Sequence, residues 1–195
     1  MKRFLVISSS PRKDANSDIL ADQVIAGAKA RGAHVEKVRL AGLKIGYCIA
    51  CEACQKSPDT FCVQKDDMKD LYPKILKADV LVFASPIYWF AVSGQMKVFL
   101  DRTYALGGAG NWTALKGKKA ACLFTYADPN PLESGVVNAF RMFQDAFGFL
   151  GVEITDCVHA ACQDQGEVRK NKAMMEAARA VGEKLGKDQL SVISN

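Results

Sequence analysis

The chain has 195 residues, 49% of them hydrophobic and 24% charged, with a formal net charge of +5; this suits one globular domain over 1–195 with a full core and excludes a disordered or low-complexity chain. No apolar run reaches the ~20 residues a bilayer span needs, and Phe4–Ile7 falls short of the roughly 7–15 apolar residues of a signal peptide, so a cytoplasmic protein without a membrane partner is expected. The basic excess is spread along the chain without an aromatic-interleaved stripe, which argues against nucleic acid as a partner.

Arg3 to Ser8 is a short run apolar on both faces, as in a strand buried on both sides. A turn follows, and Asn16 or Ser17 is placed to cap a helix in which Ile19, Leu20, Val24, Ile25 and Ala28 recur at helical spacing; Arg31-Gly32 ends it. His34 to Leu40 reads as a strand polar enough for a sheet edge. A long cysteine-bearing loop, 44–66, comes next. Asp66 or Asp67 starts a short helix with Met68, Leu71, Ile75 and Leu76. Asp79 to Ser85 is a second buried strand, followed by a helix from Gly94 to Tyr104, on which Lys97, Asp101 and Arg102 should form local surface pairs. Lys119 to Thr125 is a fourth strand. A helix with apolar Val137, Phe140, Met142, Phe143 and Phe147 follows between Ser134 and Leu150. Val152 to Val158 is the fifth strand, and Lys170 to Lys187 the closing helix.

Five strands alternating with five helices predict an α/β three-layer sandwich with one parallel sheet, and an edge position for strand two gives the order 2-1-3-4-5. Ligands of such sheets bind beyond the carboxyl ends of the strands, at the switch point between strands one and three. The loop after strand one, Ser8-Ser9-Ser10-Pro11-Arg12 to Asn16-Ser17, offers hydroxyls, a guanidinium and a helix N-terminus, which suit a phosphate; an ordinary capped turn is the plainer reading. No dinucleotide or triphosphate glycine motif is present. After strand three, Pro86-Ile87-Tyr88-Trp89-Phe90 could wall a flat conjugated ligand, or serve core packing or a dimer interface. After strand four, Thr125-Tyr126-Ala127-Asp128 is polar and placed to close over the same site. The two histidines, His34 and His159, lie outside these loops, so no nucleophilic pair is supported and no catalytic side chain is assigned.

Four of the seven cysteines, Cys48, Cys51, Cys54 and Cys62, follow a C-x2-C-x2-C-x7-C pattern. In a reducing compartment such spacing points to metal or catalysis before disulfides. A [4Fe–4S] cluster, a structural zinc and a metal-free cysteine-rich loop all remain open, although zinc sites usually pair two C-x2-C knuckles across a longer gap.

The stretches S-S-S-P-R-x-x-x-N-S, S-P-I-Y-W-F-A-V-S-G-Q-M-K-x-F-L-D-R and C-x2-C-x2-C-x7-C-x3-D-D-M resemble the flavodoxin-fold NAD(P)H-dependent FMN reductase family, nearest to its iron–sulfur flavoproteins. The resemblance covers roughly residues 1–160 and implies FMN held by Ser8, Ser9, Ser10, Pro11, Arg12, Asn16 and Ser17 at its phosphate. It places Pro86, Ile87, Tyr88, Trp89 and Phe90 at the isoalloxazine, with Thr125, Tyr126, Ala127 and Asp128 as a third flavin-side loop. Ser9 stands where the family usually has glycine. In the iron–sulfur flavoproteins a motif with this cysteine spacing supplies all four ligands of one cluster. The implied function is an oxidoreductase passing electrons from NAD(P)H or a protein donor to a quinone, flavin or carrier, through a cluster if one is present. The alternatives are an electron carrier with a protein partner and no small-molecule substrate, or a flavodoxin-like module without flavin. A homodimer or homotetramer is implied, with Trp89 and Trp112 as exposed candidate contacts.

Overall fold

The computed structural model describes residues 1–56 and 61–187. Its sheet contains β1 (Arg3–Ser8), β2 (His34–Arg39), β3 (Val80–Tyr88), β5 (Lys119–Tyr126) and β6 (Glu153–Ala161), with a two-residue β4 (Ala91–Val92) folded back on β3. The order is β2-β1-β3-β5-β6, all parallel apart from β4, which matches the expected flavodoxin-like arrangement. The helices are α1 (Asn16–Ala30), α2 (Met68–Lys77), α3 (Gly94–Thr103), α4 (Val136–Phe149) and α5 (Lys172–Gly186). Among the described residues no helix is long and apolar enough to cross a membrane.

The period of two along each strand divides the core. Phe4, Val6, Val82, Ala84, Ala121 and Leu123 face α1 and α5, where they meet Leu20, Val24, Ala178 and Val181. Leu5, Ile7, Leu81, Phe83, Cys122 and Phe124 face α2, α3 and α4, meeting Met68, Tyr72, Phe99, Phe143 and Phe147. Both faces are covered, so the central strands are apolar throughout, whereas β2 at the edge keeps exposed His34 and Arg39.

β4 is a sixth strand absent from the sequence reading, and three further elements depart from it. β3 runs on through Pro86, Ile87 and Tyr88, which pair as strand because Pro86 lies opposite Thr125 of β5 and Ile87 and Tyr88 pair with β4. β6 extends to Ala161, three residues past the expected end, because β5 continues beside it to Tyr126. Neither Asn16 nor Ser17 caps α1; Ala15 holds the N-cap position without a side-chain bond.

α1 and α5 touch backbone to backbone at two glycines. A Cβ on Gly27 would stand 2.1 Å from the Arg179 carbonyl oxygen, and one on Gly182 would stand 2.0 Å from that of Val24. Gly27→Ala must therefore push the helices apart, and a loss of about 1–3 kcal/mol is expected, read as a lower thermal midpoint.

Candidate functional site

At the carboxyl ends of the parallel strands the chain forms one cleft of about 210 Å³. Ser10, Arg12 and Asn16 line it from the first loop, Pro86, Ile87 and Tyr88 from β3, and Thr125, Tyr126 and Ala127 from β5. A fourth wall, Cys162 to Gln165 after β6, was missed from sequence. It could have been found from its position alone, as a polar stretch at the carboxyl end of the strand beside β5.

The other expected residues lie around the cleft. Ser8 and Ser9 are fully buried beneath it. The Ser8 hydroxyl donates to Asp18, while Ser93 donates from its hydroxyl to the Ser9 hydroxyl at 2.8 Å. Ser17 is buried at the first turn of α1, and its Oγ has no hydrogen-bond partner among the described residues. Pro11 is exposed, and Asp128 accepts from the backbone N–H of Asn130 at 2.7 Å, closing its own turn. Trp89 and Phe90 stand out from the rim, 92% and 55% exposed.

The first loop suits an anion. α1 has no side-chain cap, so its first turn keeps unpaired N–H groups at the positive end of the helix. Asp18 sits in that turn and would oppose an anion. It is 5% exposed and is neutralised by Lys37 at 3.3 Å and Arg39 at 3.6 Å. Arg39, at the end of β2, also donates to the Arg12 carbonyl at 2.9 Å and the Ser10 carbonyl at 3.4 Å, which shapes the loop from behind. The Arg12 side chain remains exposed at the mouth. With the orphaned Ser17 hydroxyl, this donor set fits a phosphate group.

Asn16 is employed differently from the expectation. Its amide donates to the Asp164 carbonyl at 2.8 Å and accepts from the Val168 N–H at 3.1 Å. Gln165 donates to the Lys13 carbonyl at 2.6 Å, and Gln163 to the Ala127 carbonyl at 2.9 Å. The fourth wall is thus stitched to the first and third. Burial pushes the Cys162 thiol up to about 11, so it stays protonated near neutrality and is no thiolate nucleophile.

The cysteine loop lies on the α3 side. All four of its cysteines are free; Cys48 and Cys51 are exposed, while Cys54 and Cys62 are half-buried. Among the described residues no three His, Cys, Asp or Glu side chains come together as a metal site. As placed, the thiols do not fit a four-iron cluster, and residues 57–60 of this loop fall outside the described ones. Cys48 lines a separate groove with Tyr104, Trp112 and Phe149, where Trp112 is half-buried and packs between the other two rings.

Arg102 corrects the expectation of a surface pair. Lys97 and Asp101 do pair on the exterior, at 2.6 Å, but Arg102 is 2% exposed. It binds the Asp66 carboxylate with both terminal nitrogens, at 2.5 and 3.1 Å, and donates to the Gly46 carbonyl at 2.7 Å. Asp66 in turn accepts from the N–H groups of Gly46 and Met68. Burial works against the charge on Asp66, but the Arg102 bond and the two N–H groups outweigh it and hold the carboxyl below its ordinary range.

The chain matches the profile of the NADPH-dependent FMN reductase family over residues 2–149. It is 36% identical over 121 residues to an iron–sulfur flavoprotein of Archaeoglobus fulgidus, covering 62% of this chain and 53% of that protein. An iron–sulfur flavoprotein of Methanosarcina thermophila is 30% identical over 146 residues, covering 75% of this chain and 74% of the relative. The chain thus spans about half of the first relative and three quarters of the second. In fold it superposes on the NAD(P)H:quinone oxidoreductase of Methanothermobacter marburgensis with a TM-score of 0.73 at 17% identity, covering 96% and 98% of the two chains.

Removing the partner of the buried Arg102 should be costly. Asp66→Ala leaves the Arg102 cation buried, and a loss of about 3–5 kcal/mol in urea unfolding is expected. The folded-state pKa of Asp66 lies below its unfolded value, so the pair's contribution is present at neutral pH and is lost as pH falls past the ordinary carboxylate range and through the lower folded-state value. The wild-type urea midpoint should drop in that acid range more steeply than that of Asp66→Ala.

Proposed function

The chain belongs to the NADPH-dependent FMN reductase family, and from that premise we propose that it is an FMN-dependent oxidoreductase carrying electrons from NAD(P)H to a small-molecule acceptor. The observation that carries this reading is the convergence of an anion-suited first loop and two further strand-end segments on one cleft at the switch point of a flavodoxin-like sheet. Bound FMN would supply the chemistry that no side chain here offers, since a flavin takes a hydride and gives up electrons as a pair or singly. The net reaction is NAD(P)H plus a proton plus an oxidised acceptor, giving NAD(P)⁺ and the acceptor reduced by two electrons and two protons.

The protein's part is to bind and orient. Ser10, Arg12, Ser17 and the free N–H groups at the start of α1 would hold the phosphate. Pro86 to Tyr88 and Thr125 to Ala127 would flank the ring system, and Cys162 to Gln165 would close the remaining side. Asn16 serves by pinning that last wall. No acid or base is needed from a side chain, in keeping with the protonated thiol of Cys162.

A [4Fe–4S] cluster, suggested by the cysteine spacing and by the names of the relatives, enters no step of this reading because among the described residues no three of the thiols come together. Anoxic purification with a visible spectrum and iron and acid-labile sulfide analysis tests the point. Flavin bands alone are the outcome that the placed thiols imply; broad brown absorption lost on Cys62→Ser would instead make the loop a cluster site.

Fluorescence titration should show FMN bound by the wild type. Arg12→Ala should weaken FMN by about tenfold or more, the worth of a bond to a charged group, and leave riboflavin binding unchanged. Steady-state oxidation of NADH or NADPH with a quinone acceptor should be observed. FMN binding without any nicotinamide turnover would favour an electron carrier with a protein partner.

A further inference from the structure

The hairpin at the cleft rim is bent against its own side chains. Ile87 pairs with Val92 and Tyr88 with Ala91, which leaves Trp89 and Phe90 to make the turn. Both have left-handed φ, +48° and +64°. A two-residue hairpin turn of this kind suits the twist of the paired strands and is ordinarily made by Asn-Gly. Side chains with a Cβ oppose it, because the Cβ crowds the following carbonyl. Two large aromatic residues in succession are therefore a local conflict between sequence and backbone.

Burial does not offset that conflict. Trp89 is 92% exposed and Phe90 55% exposed. The two rings stand edge to face, with centroids 5.8 Å apart and planes at 61°. The surroundings nevertheless hold the tip in place. A Cβ on Gly135 would lie 2.4 Å from the Phe90 Cα and carbonyl oxygen, so the start of α4 rests on the tip only because that residue is glycine. The Asn138 amide donates to the Phe90 carbonyl at 3.4 Å. Tyr88, the preceding residue, lines the cleft. Strain kept at the edge of a binding cleft, where exposed apolar rings are displayed, points to a use for the rings.

We propose that Trp89 and Phe90 form a stacking platform that receives a planar conjugated acceptor, a quinone or a related flat ring, as it enters the cleft. This rests on the flavin reading above and adds the residues that receive and select the acceptor. The free indole face offers a flat ring an offset stack, and the Phe90 ring, set nearly crosswise, limits where that ring can slide. The turn fixes the backbone beneath both rings before the acceptor arrives, so the backbone needs no ordering on binding.

The test replaces the pair with the dipeptide the turn prefers, Trp89→Asn with Phe90→Gly, in the FMN-loaded protein. The melting temperature should rise, which shows that the variant folds and that the native turn is strained. The KM for a planar para-quinone should rise about fivefold to tenfold, the worth of one aromatic stack, with kcat changed less than about twofold. Trp89→Phe should restore most of the quinone KM. Ferricyanide, compact and not planar, should keep its kcat/KM. An unchanged quinone KM in the double variant overturns the proposal, as does an equal loss with ferricyanide. A wild-type dimer that becomes a monomer on this substitution also overturns it, by making the tip a subunit contact. Failure of the wild type to bind FMN would overturn the flavin reading itself, and titration reveals that before any acceptor is added.

Discussion

The cleft depends on how the ends of β1 and β3 are joined. The Ser9 N–H donates to the Ala84 carbonyl at 3.0 Å, which carries the parallel ladder one residue past β1. From there a chain of buried hydroxyls takes over. Ser93 donates to Ser9, its own N–H donates to the Ser85 hydroxyl at 3.1 Å, and Ser85 donates to the Pro86 carbonyl at 2.8 Å. Ser93 also caps α3 by accepting from the Met96 N–H. One cooperative set of bonds thus fixes the first loop, the strand that carries Pro86 to Tyr88, and the helix that leads to Arg102. Glycine at position 9 would supply the backbone bond but not the side-chain link. The serine found there binds the anion-suited loop to the body of the fold, a role separate from direct contact with a ligand.

Charge is handled on the same plan. Two acids, the buried Asp18 and the half-buried Asp66, each anchor a loop through cations from other elements of the fold. Around Asp18 the cations cancel a charge that would repel a phosphate. Around Asp66 the pair secures both ends of the cysteine loop, since Arg102 holds Gly46 and Asp66 together. The loop is therefore anchored by protein bonds alone, whatever its thiols bind.

Most of the fold was legible because central strands must be apolar on both faces. The runs Phe4–Ile7 and Val80–Ala84 could hardly be anything else, and the edge position of β2 followed from its charges. The site was legible as far as strand ends could be placed. What escaped were partnerships across long separations. Arg102 and Asp66 are 36 positions apart, so the arginine looked like one member of an ordinary surface triplet. Asn16 looked like a cap because caps are common, yet its partners lie some 150 residues downstream. The wall at Cys162 to Gln165 carries no motif and gains meaning only from the strand beside it. Pro86 read as a loop residue because proline breaks ladders, but here β5 and β4 pair on around it.

The stitching of Asn16 and Gln165 across the cleft bears on how the protein is made. The first loop and α1 leave the ribosome early, whereas the Asp164 carbonyl that Asn16 binds belongs to a segment 148 residues later. A nascent chain that has not yet added β6 and the loop after it has the phosphate-suited turn but lacks one wall of the cleft. Tight capture of a ligand in this cleft is thus a late event in synthesis, and a truncated product ending before β6 lacks the complete cleft.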